Sequence, residues 1–111
     1  MNITLTLPGG RTVEGEIVPY TADTLAVYVR ENPAWAGQTG RPRYYWHVIH
    51  VRTRLEIVRM RSRDDALTMA RQLYGRLPAS AWLEASDDEL DAMIDRELAG
   101  GLLWLRTENR S

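Results

Sequence analysis

Apolar and polar positions alternate through the first half of the chain and then change to a helical spacing. Residues 2–7 read Asn-Ile-Thr-Leu-Thr-Leu, so Ile3, Leu5 and Leu7 share one face and the polar residues the other. That is the period of a half-buried strand. Pro8, Gly9, Gly10 and Arg11 supply a turn. Residues 12–18 continue as a second strand with Val13 and Ile17 inward. Gly15 falls on their face, where it predicts a bend, a bulge or a close backbone approach. A turn over residues 20–23 leads to a third strand over 24–30, with Leu25, Val27 and Val29 expected inward and Ala26, Tyr28 and Arg30 outward. Residues 31–42 hold Asn32, Pro33, Gly37, Gly40 and Pro42 and read as a loop. Trp35 either serves a functional loop or pins it to the core. Residues 43–51 and 55–61 form a hairpin around Arg52, Thr53 and Arg54, a turn that lacks glycine.

From Ser62 onward the period is helical. Ser62 suits an N-cap, with Asp64 and Asp65 in the first turn and Arg71 and Arg76 near the C-terminal end. Ala66, Leu67, Ala70, Leu73, Tyr74 and Leu77 recur at three- and four-residue spacing, and Pro78 stops the helix. A second helix follows Ser86, opens with Asp87, Asp88 and Glu89, and carries Leu90, Met93, Ile94 and Leu98 as its stripe. Gly100 and Gly101 end it. The expected fold class is α+β: an antiparallel sheet or small barrel of about five strands followed by two C-terminal helices, one domain over residues 1–111.

Composition narrows the function classes. There is no cysteine, which removes disulfides, cysteine-ligated metals and thiol catalysis. No apolar run is long enough to span a bilayer, and no signal-peptide pattern opens the chain, so a cytoplasmic protein without a membrane partner is expected. All 14 basic residues are arginine, and four Trp and five Tyr stand beside no Phe. Codon bias of a GC-rich genome explains part of this, and the preference of binding surfaces for Arg, Tyr and Trp is the functional alternative.

The net charge of −1 hides a segregation. Residues 41–63 hold seven arginines against Glu56, a net of +6, while residues 64–99 hold nine acids against three arginines, a net of −6. Aromatic residues interleave with the basic block. With Thr53 and Arg54 as the turn centre, residues 48 and 59 lie opposite, and one hairpin face collects Ile49, Val51, Val58 and Met60. The other collects Tyr44, Trp46, Val48, His50, Arg59 and Arg61. A one-residue slip would scramble this assignment. The expected contact surface is therefore Arg41, Arg43, Tyr44, Trp46, His50, Arg52, Arg54, Arg59 and Arg61, suited to phosphates and bases. A protein partner fits the same residue types. Two rival arrangements remain: helices covering this face with Trp46 in the core, and arginines neutralised by the acidic segment.

No catalytic motif appears: no phosphate-binding glycine loop, no nucleophile elbow, no His-Glu-x-x-His. His47 and His50 are three apart, which places them on opposite faces of a strand, and no metal or other cofactor is expected. Asp87, Asp91 and Asp95 read as the solvated side of an amphipathic helix. The sequence thus predicts a non-enzymatic binding or accessory protein acting on nucleic acid, the alternative being an inhibitor or adaptor of a host protein. Leu102, Leu103, Trp104 and Leu105 form an apolar segment that predicts homodimerisation by strand addition.

Gly10-Arg11-Thr12-Val13-Glu14-Gly15-Glu16-Ile17-Val18 with Leu25-Ala26-Val27-Tyr28-Val29 resembles strands of SH3-like or Sm-like barrels. Trp46-His47-Val48-Ile49-His50-Val51 through Arg63-Asp64-Asp65-Ala66 resembles strand-strand-helix units of small uncharacterised proteins of GC-rich bacteria and their phages. The outline is also similar to arm-type DNA-binding modules of phage integrases, which lay a three-stranded sheet on DNA. These resemblances imply a phage or mobile-element protein, and fold likeness alone does not carry function.

Overall fold

The alternating segments form five strands. A computed structural model describes residues 1–7, 9–32 and 43–98. Strands β1 (Asn2–Thr6) and β2 (Thr12–Ile17) pair antiparallel with Ile3 opposite Gly15 and Leu5 opposite Val13. Gly9 and Gly10 make their turn at φ 95° and 90°, a conformation costly for any residue with a Cβ. The next turn uses non-glycine residues at positive φ, Tyr20, Ala22 and Asp23. Two threonines hold it: Thr21 donates to the Val18 carbonyl at 2.8 Å and Thr24 to the Thr21 carbonyl at 2.6 Å. Strands β3 (Leu25–Glu31), β4 (Tyr44–His50) and β5 (Glu56–Met60) complete a sheet in the order β1-β2-β3-β4-β5, each strand antiparallel to its sequence neighbour. The expected α+β architecture is the observed one.

Three helices follow, α1 (Arg63–Arg76), α2 (Ala79–Glu84) and α3 (Asp87–Leu98). Ser62 caps α1 by accepting from the Asp65 N–H at 3.1 Å. Ser86 caps α3 by accepting from the Glu89 N–H, and its hydroxyl donates to the Glu89 carboxylate, both at 3.2 Å. The short α2 adds to the two helices the periodicity predicts. At six residues it is too brief to show a helical repeat, yet it buries Trp82 completely.

The sheet is covered on both sides, by different means. On one side Leu25, Val27, Val48 and Val58 pack against Ala66, Met69, Ala70 and Leu73 of α1, Trp82 of α2 and Leu90, Ile94 and Leu98 of α3. On the other, Leu5, Leu7 and Ile17 gather with Ala26, Tyr28 and Ile49. Strands β1 and β4 are separated by two others, so in a flat sheet they stand roughly 14 Å apart. Their contact therefore requires the β1–β2 hairpin to curl over the sheet. Gly15 permits the curl: a Cβ there overlaps the Leu5 side chain and lies 3.2 Å from the Val27 carbonyl oxygen. This corrects the outward placement of Ala26 and Tyr28, which are buried, and the inward placement of Val29, which is 45% exposed.

Candidate binding face

The hairpin register decides which residues share a face. Trp46 pairs with Met60, His47 with Arg59 and Val48 with Val58, one residue displaced from the expected register, and a bulge follows at Val48/Ile49. A one-residue slip exchanges the faces of one strand relative to the other. Trp46 and Val48 therefore share the helix side with Val58 and Met60, while Arg59 stands beside His47 on the helix-free side.

The expected contact residues are dispersed accordingly. Trp46 is half-buried and packs against the core beneath the helices, a correction to its placement beside Arg59 and Arg61. His50 is fully buried and is no contact residue. Its Nε2 donates to the Trp82 carbonyl at 2.8 Å and its Nδ1 accepts from the Thr53 hydroxyl at 2.7 Å. Burial pushes the His50 pKa down, the Trp82 carbonyl opposes that shift, and the nearby Arg52 charge adds to it. Arg52 donates through Nη2 to the Ala85 carbonyl at 2.6 Å and reaches the Trp82 carbonyl at 3.4 Å, satisfying the C-terminal end of α2. Both residues thus tie the β4–β5 turn to α2. Arg54 is exposed in that turn at φ 62°. Arg43 lies over the Tyr44 ring at 5.4 Å and pairs with Glu31 at 3.4 Å, and Tyr44 is 48% exposed. Arg61 is exposed beyond the end of β5. Arg41 and Leu102, Leu103, Trp104 and Leu105 lie outside the described residues.

The helix-free side holds a polar cluster that the hairpin reading missed. Tyr28 is buried and its hydroxyl donates to the Glu56 carboxylate. Burial, and then that carboxylate, raise the tyrosine pKa well above its ordinary value. His47 stacks on the Tyr28 ring with centroids 4.9 Å apart and planes 10° from parallel. Its Nδ1 is 3.6 Å from Glu56 Oε1. Burial pushes the His47 pKa down; Glu56 opposes this, and Arg30 and Arg59 reinforce it. Arg30 pairs across the ladder with Tyr45, and the Arg59 guanidinium sits 4.2 Å from the centre of the Tyr45 ring. Tyr45 is only 9% exposed, so Arg59 covers the ring that a base would need. Two arginines with a histidine between them thus occupy one surface. Among the described residues no carboxylate pairs with Arg30, Arg54, Arg59 or Arg61. Arg30 was legible as an outward residue of β3, but its distance in sequence from the basic block concealed the association.

An open cleft of about 600 Å³ continues toward the β4–β5 turn. Arg11, Arg30 and Arg54 line it together with Glu56 and with Asp87, Asp88 and Asp91 at the start of α3. Among the described residues no group of three or more carboxylates and imidazoles converges as metal ligands, and no helix is long and apolar enough to cross a membrane. Comparison with family models, curated proteins and solved structures finds no match.

Proposed function

We propose that this protein is a non-enzymatic nucleic-acid-binding factor that contacts the phosphate backbone through arginines on the helix-free side of its sheet. The observation that carries this reading is the juxtaposition of Arg30 and Arg59 around Tyr45, with Arg61 two residues beyond and, among the described residues, no carboxylate paired to any of the three. Arginine clusters neutralise phosphates and release counterions. Base stacking contributes little, because Trp46 and Tyr45 are occupied by the protein itself. The contact is therefore with the backbone and tolerant of sequence.

Fluorescence anisotropy with duplex and single-stranded oligonucleotides across a salt series tests this. Three engaged arginines give a slope of log affinity against log salt of about −2 to −3. Arg30→Glu/Arg59→Glu should abolish binding without changing the melting temperature by more than a few degrees. Salt-independent affinity, or full binding by the double variant, refutes the reading.

A second reading has its own support. The cleft sets Asp87, Asp88 and Asp91 beside Arg11, Arg30 and Arg54, and such mixed charge suits a polypeptide better than a polyanion. Capture of a protein from lysate that survives nuclease treatment favours this alternative.

A further inference from the structure

We propose that the outer edge of β1, which no other described strand pairs, joins the β1 edge of a second copy, so that two sheets meet antiparallel about Thr4. The hydrogen-bond phase of β1 is fixed at both ends. Ile17 N–H donates to the Met1 carbonyl at 2.9 Å, and Leu7 N–H donates to the Arg11 carbonyl at 2.7 Å. Residues 1 and 7 thus face β2, and in an antiparallel ladder the bonding residues alternate. The odd positions bond to β2, and the N–H and C=O groups of Asn2, Thr4 and Thr6 point away from it. Thr4, Leu5 and Thr6 of this strand also line an open cleft of about 340 Å³, together with Ile49, Val51, Arg52 and Arg54.

The sequence of this edge is complementary to itself. With Thr4 opposite Thr4 of the second copy, Asn2 meets Thr6 and Ile3 meets Leu5. Polar residues then continue the exposed face, and apolar residues continue the buried one. Asn2, Thr4 and Thr6 are all outward-bonding, so each of the three pairs exchanges both of its hydrogen bonds. The arrangement is isologous and closes at two chains. The opposite edge is guarded differently: β5 carries Glu56 and Arg59, whereas β1 contains neither charge nor proline. Charged side chains are a common protection of sheet edges against such pairing. This inference rests on β1 alone and is independent of the arginine face.

Sedimentation equilibrium and cross-linking test it. The wild-type chain should show a concentration-dependent monomer–dimer equilibrium. Thr4→Glu places two carboxylates opposite each other beside Glu14, the present partner of the Thr4 hydroxyl. This like-charge contact should weaken the dimer by at least about tenfold. Mixing Thr4→Glu with Thr4→Arg should restore it as a heterodimer. The chain has no cysteine, so Thr4→Cys should give a disulfide-linked dimer under mild oxidation, while Thr68→Cys on the exposed side of α1 should not. A wild-type chain that stays monomeric at millimolar concentration overturns the proposal. So does a dimer unaffected by Thr4→Glu. If Thr4→Glu fails to fold, the Thr4→Cys cross-link decides: none forming at concentrations where the wild type dimerises also overturns it.

Discussion

Replacing His50 by alanine separates a structural histidine from a contact residue. The imidazole has no solvent exposure and holds two partners, the Trp82 carbonyl at 2.8 Å and the Thr53 hydroxyl at 2.7 Å. After His50→Ala that carbonyl keeps only the longer Arg52 contacts at 3.4 Å, and a ring-sized void opens beside Trp82. Poorly satisfied buried groups cost about 1–3 kcal/mol, and the void adds to this, for a total of about 2–4 kcal/mol. An unfolding entropy of about 2.1 cal/mol/K per residue makes each kcal/mol worth roughly 4 °C in a chain of this length. The melting temperature followed by circular dichroism should therefore fall by about 8–16 °C. Acid dependence supplies a second readout. His50 is neutral in the fold with its pKa depressed, while in the unfolded chain it titrates near the ordinary 6.5. Below that pH the unfolded state binds a proton the native state refuses, so stability falls on acidification until the folded pKa is reached. The limiting slope is about 1.4 kcal/mol per pH unit for each such histidine. His47 acts in the same direction, and these are the only two histidines. Urea unfolding between pH 7 and 5.5 should show a shallower slope in His50→Ala than in the wild type. A melting shift below 3 °C with an unchanged pH slope would refute the account of His50 as a buried latch.

Three further outcomes follow from particular contacts. Arg52→Ala should destabilise by about 1–2 kcal/mol through loss of the bonds to the α2 carbonyls, read by urea unfolding, while leaving oligonucleotide affinity within twofold. Gly15→Ala forces a methyl group against Leu5 and the Val27 carbonyl and should cost about 1–3 kcal/mol, read as a lowered melting temperature. Ser62→Ala removes the α1 cap and should cost about 1 kcal/mol in equilibrium unfolding.

The strands and the two long helices were legible because their signals are local. Alternation placed the five strands, and Ser62 and Ser86 marked the starts of α1 and α3. The faces were less legible, because a face depends on register. The β4–β5 turn uses Arg54 at positive φ and a bulge at Val48/Ile49, neither of which a turn without glycine announces. The resulting one-residue displacement moved Trp46 under the helices and set Arg59 beside His47. The second core was hidden for another reason: one covered face is assumed wherever alternation is read alone. A signal existed, since residues 25–29 read Leu-Ala-Val-Tyr-Val with no charge, the composition of a strand buried on both sides. Gly15 was the other half of it, marking where β1 approaches. The Tyr28–Glu56–His47 cluster needed three strands in register, and no sequence spacing encodes that.

The charge segregation has a geometric counterpart that bears on the proposed partner. Helices α1 and α3, which hold most of the acidic residues, lie on one side of the sheet, and Arg30 and Arg59 face the other. The sheet separates much of the two blocks: Arg43 pairs with Glu31 and Arg63 with Glu16 on the strands, and the blocks meet at the start of α1, where Arg63 also lies 3.8 Å from Asp64. The separation ends at the cleft, where Asp87, Asp88 and Asp91 meet Arg11, Arg30 and Arg54 beside the β4–β5 turn. On the nucleic-acid reading, this limits the footprint. Phosphates gain at Arg59 and Arg61, are repelled at the start of α3, and feel both effects at Arg30, which lines the cleft; at physiological salt each effect reaches about 8 Å. A bound backbone must then run across the end of the sheet near Tyr45 rather than along the cleft. Neutralising Asp87 and Asp88 to Asn should strengthen binding only for oligonucleotides long enough to reach the cleft, and should leave the shortest ones unchanged. Equal strengthening at every length would mean that the acids act through the net charge of the molecule, and the proposed footprint would fail.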